Sequence, residues 1–328
     1  MDIFIQQVIN GLTLGAVYAV VALGYTMVYG IIQLINFAHG EVVMIGAMIA
    51  FSVVNLLAGS GLPPIVIVVL ATACAVPLCM AVGYTMERVA YRPLRNAPRL
   101  APLITAIGIS IILQHLALMI WSRNPLAFPQ PVKSVSFHIG EATITNIQLG
   151  IIFISVAMMA GLAWMIYRTR LGAAMRATAQ NAQVAGLMGI DSDRIIALTF
   201  IIGAGLAAVA GVMVATYYGI AHYTMGANLG LKAFCAAVLG GIGNVPGAML
   251  GGVVLGIVEA LGAGYIGDLT DLCRWPVVSG WLGERCGPDQ HFVLFGSNYQ
   301  DVFAFMVLIA VLVFRPQGLL GERVGDRA

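Results

Sequence analysis

Charged side chains are scarce in this sequence of 328 residues: Asp, Glu, Lys and Arg together make up 9% of it, and 60% of the residues are hydrophobic. The mean hydropathy is +0.95, whereas a soluble domain carries about 25% charged residues. The apolar residues lie in blocks long enough to cross a hydrocarbon core of roughly 30 Å. The composition therefore excludes an ordinary soluble domain and predicts a protein whose solvent is the lipid bilayer.

Motifs for several kinds of chemistry are also missing. The net charge is only +2, and no basic stripe with interleaved aromatic residues is present, so we expect no nucleic-acid partner. None of the five cysteines forms a CxxC pair or lies near histidines at zinc-binding spacing, which argues against a metal site. A Walker loop, a nucleophile elbow and an HExxH motif are all absent. We therefore predict no catalytic residues, no metal and no cofactor bound by this chain.

Eight apolar blocks predict an all-α fold, a polytopic transmembrane helical bundle of about eight spans in a single domain over residues 1–328. The block at 232–266 is too long for one crossing and contains Gly241, Gly243 and Pro246. We expect it to break into a short, re-entrant half-helix and a full span, because broken helices occur where backbone lines a protected cavity. The blocks cover residues 4–24, 37–57, 64–86, 101–121, 147–166, 195–218, 232–266 and 300–314.

Basic residues are concentrated in three segments outside these blocks. Short cytoplasmic loops hold the excess of Lys and Arg in membrane proteins, so we expect segments 87–100 and 167–194 and the C-terminal tail to be cytoplasmic. The N-terminus and the other loops then face outward, provided that block 232–266 enters and leaves on the same side. The basic residues are Arg88, Arg92, Arg95, Arg99, Arg168, Arg170, Arg176, Arg194, Arg315, Arg323 and Arg327.

The segment from Arg170 to Arg194 is too polar to span a membrane. It is rich in alanine and methionine and free of proline, so we expect a cytoplasmic helix that ends at a C-cap glycine. One hypothesis is a docking helix for a cytoplasmic ATPase, because small residues at helical spacing offer a smooth face to another protein. The alternative is an ordinary connecting loop. The small residues are Ala179, Ala182, Ala185, Gly186 and Gly189.

Two acidic residues, Asp191 and Asp193, stand just before the apolar run that starts at Ile195. Paired acids of this kind occur in some metal-dependent transferases. At the start of a helix, however, their oxygens can accept hydrogen bonds from free backbone N–H groups. We therefore predict a capping role.

The polar stretch from Asn36 to Glu41 joins two apolar blocks and includes His39. Ionisable groups at membrane depth are costly and usually face a cavity or a partner. One interpretation is a helix-start or re-entrant element that lines a substrate path. The alternative is an interfacial turn in which Glu41 merely caps the second span. We favour the functional role because Gly40 and the Gly241 loop occupy similar places in the two halves of the chain.

Lys232 and Glu259 flank or enter the seventh block. They could pair with each other, contact substrate, or extend to the membrane interface by snorkelling. We expect Lys232 to snorkel because it begins its span, whereas Glu259 lies deeper and is the stronger functional candidate. A ladder of glycines in the same block and the first span predicts close helix packing. These glycines are Gly11, Gly15, Gly243, Gly247, Gly251, Gly252 and Gly256.

One long polar loop near the C-terminus contains two of the five cysteines, Cys273 and Cys286. If the loop is external, these thiols lie in an oxidising compartment, where disulfides form and persist. We therefore predict a possible disulfide between them, conditional on that orientation.

The stretch from Gly11 to Ala50, GLTLGAVYAVVALGYTMVYGIIQLINFAHGEVVMIGAMIA, resembles the N-terminal signature of bacterial branched-chain amino acid ABC permeases. The similarity continues through MRATAQNAQVAGLMGIDSDRIIALTF, KAFCAAVLGGIGNVPGAMLGGVVLG and FRPQGLLG. It covers nearly the whole chain, which is similar to the smaller, H-type subunit. Two features of this sequence depart from the family pattern. The residues at the position of the family's Glu-Ala-Ala core are Gln180-Asn181-Ala182, and the loop from Asp268 to Tyr299 is longer than is usual in the family.

The resemblance implies a transport subunit in the bacterial inner membrane, with a periplasmic N-terminus and a cytoplasmic C-terminus. A second, M-type permease would pair with it, two cytoplasmic ABC ATPases would use ATP and Mg, and a periplasmic binding protein would deliver leucine, isoleucine or valine. The coupling loop would lie at about 168–194 and a periplasmic loop at about 267–299. The implied ATPase-coupling residues are Arg176, Ala179, Asn181, Ala182, Ala185, Gly186, Gly189 and Asp191. The candidate pathway residues are Asn36, His39, Glu41, Gly241, Asn244 and Glu259.

Other functions share this composition. Related importers carry urea, amides or other amino acids. An ATP-independent channel or a proton-coupled carrier would have similar spans, but a carrier should show buried ionisable pairs. An integral-membrane enzyme would need clustered catalytic side chains, whereas the five histidines are scattered singly. We therefore predict a subunit that is not an enzyme.

Overall fold

Eleven α-helices occur in the part of the chain that the computed structural model describes, which is residues 2–95, 97–98, 100–139, 142–266 and 300–321. The helices are α1 Asp2–Ile32, α2 His39–Leu57, α3 Pro64–Met86, α4 Leu100–Ile120, α5 Asn146–Arg168, α6 Arg170–Gln180, α7 Ala182–Leu187, α8 Ser192–Tyr218, α9 Met225–Gly240, α10 Val245–Leu261 and α11 Gln300–Phe314. A π-helical turn at Glu87–Tyr91 and a 3₁₀ turn at Arg92–Leu94 extend α3. A second π-helical turn, Gly262–Ile266, extends α10.

Seven of these helical segments are long and apolar enough to cross a membrane: α1 to α5, α8 and α10. Two shorter apolar helices, α9 and α11, accompany them. The predicted polytopic helical bundle is confirmed, and the predicted blocks match the helices within a few residues. The main differences are that α1 continues to Ile32 and that α9 starts at Met225, seven residues before the predicted block.

The bundle has an inner and an outer layer. The most apolar 18-residue windows of α1 and α8 are 78% and 72% buried, whereas that of α4 is only 11% buried. Helices α2 and α10 also belong to the inner layer, and α3 and α5 to the outer one. Since apolar side chains outside the bundle need no water, the outer helices present them to lipid.

Glycines allow α1 and α10 to pack closely. A Cβ atom added to Gly15 would lie 2.8 Å from the Cα of Val253, and one added to Gly11 would lie 2.7 Å from the Cα of Ile257. The predicted packing role of the glycine ladder is therefore confirmed. The glycines of the ladder contact more than one helix. Gly11 and Gly15 pack against α10, whereas a Cβ atom added to Gly251 would clash with the backbone of α9.

The predicted break in the 232–266 block is confirmed between α9 and α10. Gly241 and Gly243 have positive φ angles of 103° and 93°, which favour glycine. The turn between the two helices packs against the C-terminal segment, since Leu319 N–H donates to the C=O of Leu239 at 2.8 Å. With 16 residues, α9 is longer than the short half-helix that we expected.

Four short strands were not predicted. Strand β1, Leu126–Ala127, pairs antiparallel with β4, Ile220–Ala221, and β2, Ser136–Ile139, forms a hairpin with β3, Ala142–Thr145. The β1–β4 pair holds the C-terminal ends of α4 and α8 together. Both pairs lie in connections between spans, which explains why hydropathy alone did not reveal them.

Helix caps define several of the helix starts by satisfying free backbone N–H groups. Thr145 forms a capping box with Gln148 at the start of α5. Other side chains cap α6, α7, α8 and α10 in the same manner, and these are Thr169, Asn181, Asp191 and Asn244.

One end of the bundle collects the basic connections. Arg92 and Arg95 both form ion pairs with Asp193 at the start of α8. These contacts place segments 87–95 and 169–194 at the same end, as the distribution of basic residues predicted. We call this the basic end.

Candidate functional site

A non-helical connection, residues 33–38, separates α1 from α2 within the bundle. Gln33 has a positive φ angle of 55°, and the C=O of Asn36 accepts a hydrogen bond from His39 N–H at 3.0 Å. Asn36 is only 2% exposed. Non-helical backbone at membrane depth occurs only where protein or a cavity protects it, so this connection is a candidate functional element.

The carboxylate of Glu41 lies at the first turn of α2 and is fully buried. Its Oε1 accepts hydrogen bonds from Ser110 Oγ at 3.0 Å and from Gln114 Nε2 at 2.7 Å, both on α4. Its Oε2 has no hydrogen-bond partner among the described residues and faces Gly226 in the first turn of α9. A helix N-terminus favours negative charge, which helps to keep this carboxylate inside the bundle.

The imidazole of His39 lies beside Glu41 in sequence and is also buried, with 3% exposure. Its ring packs edge-on against Tyr25 at a centroid distance of 4.9 Å and occupies the space that a side chain on Gly24 would need. Its Nε2 has no hydrogen-bond partner in the described part of the chain. We call Asn36, His39, Glu41, Ser110 and Gln114 the helix-start cluster.

A second polar group joins α1, α9, α10 and α11, and we call it the ion cluster: Tyr18, Lys232, Glu259 and Asp301. The first three residues are buried, whereas the Asp301 side chain is 42% exposed. Lys232 Nζ lies 2.7 Å from Glu259 Oε1 and 2.6 Å from Asp301 Oδ1. The hydroxyl of Tyr18 donates to Glu259 Oε1 at 3.3 Å. Because Lys232 is only 7% exposed, the prediction that it snorkels is wrong: its ammonium group pairs with the buried carboxylate of Glu259 and with the partly exposed carboxylate of Asp301.

The other two predicted pathway residues, Gly241 and Asn244, lie at the turn between α9 and α10. Asn244 Oδ1 accepts from Gly247 N–H at 3.1 Å, and its Nδ2 donates to the C=O of Leu320 at 2.7 Å. Their contacts hold the turn against the C-terminal segment. The six predicted residues therefore occupy three places: the helix-start cluster, the ion cluster and this turn.

The polar segment at the basic end contains two helices rather than the continuous helix that we expected. Asn181 ends α6 and caps α7, because its Oδ1 accepts from Gln183 N–H at 3.0 Å and Val184 N–H at 3.1 Å. The predicted helix end at Gly189 is confirmed in place, although the C-cap of α7 is Met188 and Gly189 follows it with a φ angle of +84°. The predicted capping by Asp191 is confirmed as well, since its Oδ1 accepts from Arg194 N–H at 3.2 Å.

The small residues of this segment do not form one exposed face. Ala185 is buried, with 4% exposure, whereas Ala182, Gly186 and Gly189 are exposed and Ala179 is partly buried. The exposed apolar surface consists instead of three larger side chains that sequence reasoning missed, and we call it the docking tip: Val184 at 53%, Leu187 at 87% and Met188 at 79% exposure.

Arg176, another predicted coupling residue, is engaged within the chain. Its Nη1 donates to the C=O of Ile166, and its guanidinium lies 5.9 Å from the centre of the Tyr167 ring. The signal available in the sequence was the presence of two large apolar residues, Leu187 and Met188, in a segment too polar to span a membrane.

Cys273 and Cys286 lie outside the described residues, as does the whole loop from Asp268 to Tyr299. Three other cysteines, Cys74, Cys79 and Cys235, are free thiols. Within the described residues, no group of three or more His, Cys, Asp or Glu side chains could hold a metal ion.

Apolar helices that surround buried charges and a broken helix junction define a multi-pass membrane protein of the transport class. The family described as branched-chain amino acid transport system / permease component matches residues 7–312. The high-affinity branched-chain amino acid transport system permease protein BraD of Pseudomonas aeruginosa is 46% identical over 325 residues, which is 97% of this chain and 96% of that protein. The high-affinity branched-chain amino acid transport system permease protein LivH of Escherichia coli (strain K12) is 42% identical over 325 residues, which is again 97% of this chain and 96% of that protein.

A more distant relative, the probable branched-chain amino acid transport permease protein LivH of Methanocaldococcus jannaschii, is 26% identical over 92% of this chain and 87% of its own length. No solved structure matches the chain. The family match and the two bacterial relatives show that the chain belongs to the permease component family of branched-chain amino acid transport systems.

Proposed function

We propose that this chain is the H-type permease subunit of an ATP-binding-cassette importer that translocates leucine, isoleucine and valine across the bacterial inner membrane. The observation that carries the proposal is the docking tip. Large apolar side chains that are 79% and 87% exposed at Met188 and Leu187 belong to a segment too polar to lie in lipid. Exposed apolar groups in water mark an interaction site.

The partner at the docking tip is a cytoplasmic ATPase. The basic end faces the cytoplasm under the positive-inside rule, which puts the N-terminus in the periplasm and the C-terminus in the cytoplasm. The sequence of this chain contains no nucleotide-binding motif. ATP and Mg are therefore bound by two ATPase subunits, and this chain does not itself hydrolyse ATP. Residues around α6 and α7, at about 168–194, form the coupling loop.

The remaining partners follow from the family and from the way such importers work. A homologous M-type permease completes the membrane channel, and a periplasmic binding protein delivers the amino acid to the side opposite the basic end. The single permease domain spans residues 1–328, with a periplasmic loop at 267–299. The names of BraD and LivH, which are about as long as this chain, support the choice of branched-chain amino acids as substrate.

The helix-start cluster lines the translocation path. Substrate amino acids carry an ammonium group, and Glu41 offers a carboxylate oxygen that accepts no hydrogen bond from any described residue. Its other oxygen is fixed by Ser110 and Gln114, so the free oxygen has a defined direction. Selectivity among the three amino acids resides largely in the binding protein.

The experiment that tests this proposal is co-purification after co-expression with the second permease, the ATPases and the binding protein. We expect Leu187→Asp to weaken ATPase recovery by roughly 30-fold, because an apolar interface residue of this kind contributes about 2 kcal/mol. Val135→Asp is the matched control, since Val135 is 52% exposed in the connection between α4 and α5. ATPase recovery that is equal for the two variants would refute docking at α7.

A further inference from the structure

Two sets of polar contacts, joined by the π-helical turn Glu87–Tyr91, lead from the start of α8 to the non-helical connection. Asp193 Oδ1 lies 2.5 Å from Arg95 Nη1, and Arg95 also pairs with Glu87. On the same π-helical turn as Glu87, the hydroxyl of Tyr91 donates to Asn36 Oδ1 at 2.7 Å. We call these five residues the polar relay.

The interior members of the relay are withdrawn from solvent. Glu87 and Tyr91 are each 1% exposed, and Asn36 is 2% exposed. Burying a charge costs free energy that an ion pair only partly offsets, and apolar residues of similar size often stabilise a fold equally well. The presence of a buried carboxylate here therefore calls for a role beyond packing.

Both ends of the relay are attached to elements of the proposed mechanism. At one end, Ser192 Oγ donates to the C=O of Ala182 at 2.9 Å, which ties the start of α8 to α7 and its docking tip. At the other end, Asn36 lies in a connection without regular helical hydrogen bonds, three residues before α2 begins at His39. A displacement of α7 can therefore reach the helix-start cluster through side-chain contacts and the backbone of the π-helical turn.

The helical geometry between the two ends is irregular. The π-helical turn Glu87–Tyr91 is followed directly by the 3₁₀ turn Arg92–Leu94. Isolated π-helical turns inside helices are rare and occur frequently at functional sites, and 3₁₀ stretches often mark hinges. Tyr91 also packs on Phe200 of α8 at a centroid distance of 5.1 Å, so this segment contacts α8 and the connection at once.

We propose, on the basis of the importer function above, that the polar relay couples ATPase docking at α7 to the position of Asn36 and thereby to the substrate path. Glu87, Tyr91, Arg95 and Asp193 are positioning residues: they act on the path through Asn36. When the ATPases move α7, the ion pairs of Asp193 carry the movement to the π-helical turn, and the Tyr91 hydroxyl carries it to the connection.

Tyr91→Phe tests the relay with a minimal change, because it removes the hydroxyl and keeps the ring that packs on Phe200. The whole importer is reconstituted in liposomes with its binding protein, and leucine uptake and ATP hydrolysis are measured on the same sample. We expect at least a tenfold fall in leucine transported per ATP hydrolysed, with the subunits still assembled. Tyr84→Phe is the matched control on α3, since Tyr84 is 43% exposed, and it should leave the ratio unchanged.

A purely structural role for Tyr91 would lower uptake and ATP hydrolysis in proportion, and an unchanged ratio would overturn the proposal. If Tyr91→Phe does not assemble, Asp193→Asn decides the question, because its half-exposed side chain tolerates substitution. A ratio equal to wild type in that variant overturns the relay as well. Wild-type protein that transports leucine without ATP would instead refute the importer function itself.

Discussion

The two polar clusters of this protein differ in whether a cation accompanies their carboxylates. In the ion cluster, Lys232 contacts two carboxylates at 2.7 and 2.6 Å. In the helix-start cluster, the Glu41 carboxylate has no basic partner among the described residues, and its hydrogen bonds come from a hydroxyl and an amide on α4. The first cluster joins four helices around a cation, whereas the second contains no cation. Each cluster keeps a buried carboxylate oxygen without a hydrogen-bond partner among the described residues, Oε2 of Glu259 in the first and Oε2 of Glu41 in the second.

This difference separates a structural role from a transport role. Removing one partner from a buried ion pair leaves an uncompensated charge, so the ion cluster should respond to mutation through stability. A carboxylate fixed by neutral donors can lose its charge and keep its hydrogen bonds, so Glu41 should respond through function. Three predictions test this contrast.

Lys232→Leu should have the largest effect. The substitution leaves Glu259, which is 1% exposed, without its cation, and we expect a loss of about 3–5 kcal/mol in stability. Thermal aggregation of the detergent-solubilised protein, followed by size-exclusion chromatography, measures it. Lys133→Leu, at an exposed position, is the control. The double variant with Glu259→Leu should recover part of the loss, and a double variant no better than Lys232→Leu would contradict the proposed pairing.

Replacement of glutamate by glutamine should act mainly on stability in the ion cluster and mainly on transport in the helix-start cluster. Glu259→Gln weakens a charged contact to Lys232 and should cost about 1.5–3 kcal/mol in stability. Glu41→Gln keeps an acceptor for Ser110 and Gln114 and should cost less than about 1 kcal/mol, yet it should lower leucine uptake about tenfold, because the substrate ammonium loses a charge-assisted hydrogen bond. Melting temperatures and uptake by the reconstituted importer measure the two effects. Normal uptake by Glu41→Gln would remove Glu41 from the path.

Ser110→Ala should have the smallest effect. It removes one of the two donors to Glu41 Oε1, while Gln114 still donates at 2.7 Å, so we expect a loss of about 1 kcal/mol or less. The same melting assay measures it. Thr72→Ala is a suitable comparison, since its hydroxyl bonds the C=O of Val68 one turn earlier in the same helix. A loss for Ser110→Ala as large as that for Lys232→Leu would mean that α4 depends on this contact.

The ion cluster also corrects a criterion used on the sequence. Buried ionisable pairs were expected to distinguish a proton-coupled carrier from an importer subunit, yet a member of the permease family contains the pair Lys232–Glu259. The pair lies at the junction of α9, α10 and α11, where two apolar helices shorter than a full span meet a long one. A compensated charge at such a junction is compatible with a purely structural role.

The sequence by itself determined the membrane class, the positions of most of the spans and the break near Gly241, because hydrophobic blocks, caps and glycines act locally along the chain. It also placed Asp191 and Gly189 at helix ends correctly. Tertiary structure alone decided the partners of Lys232, the bonds from α4 to Glu41 and the exposure of Leu187 and Met188. Those properties depend on which residues far apart in sequence meet in space, and periodicity within one helix contains no information about the neighbouring helix.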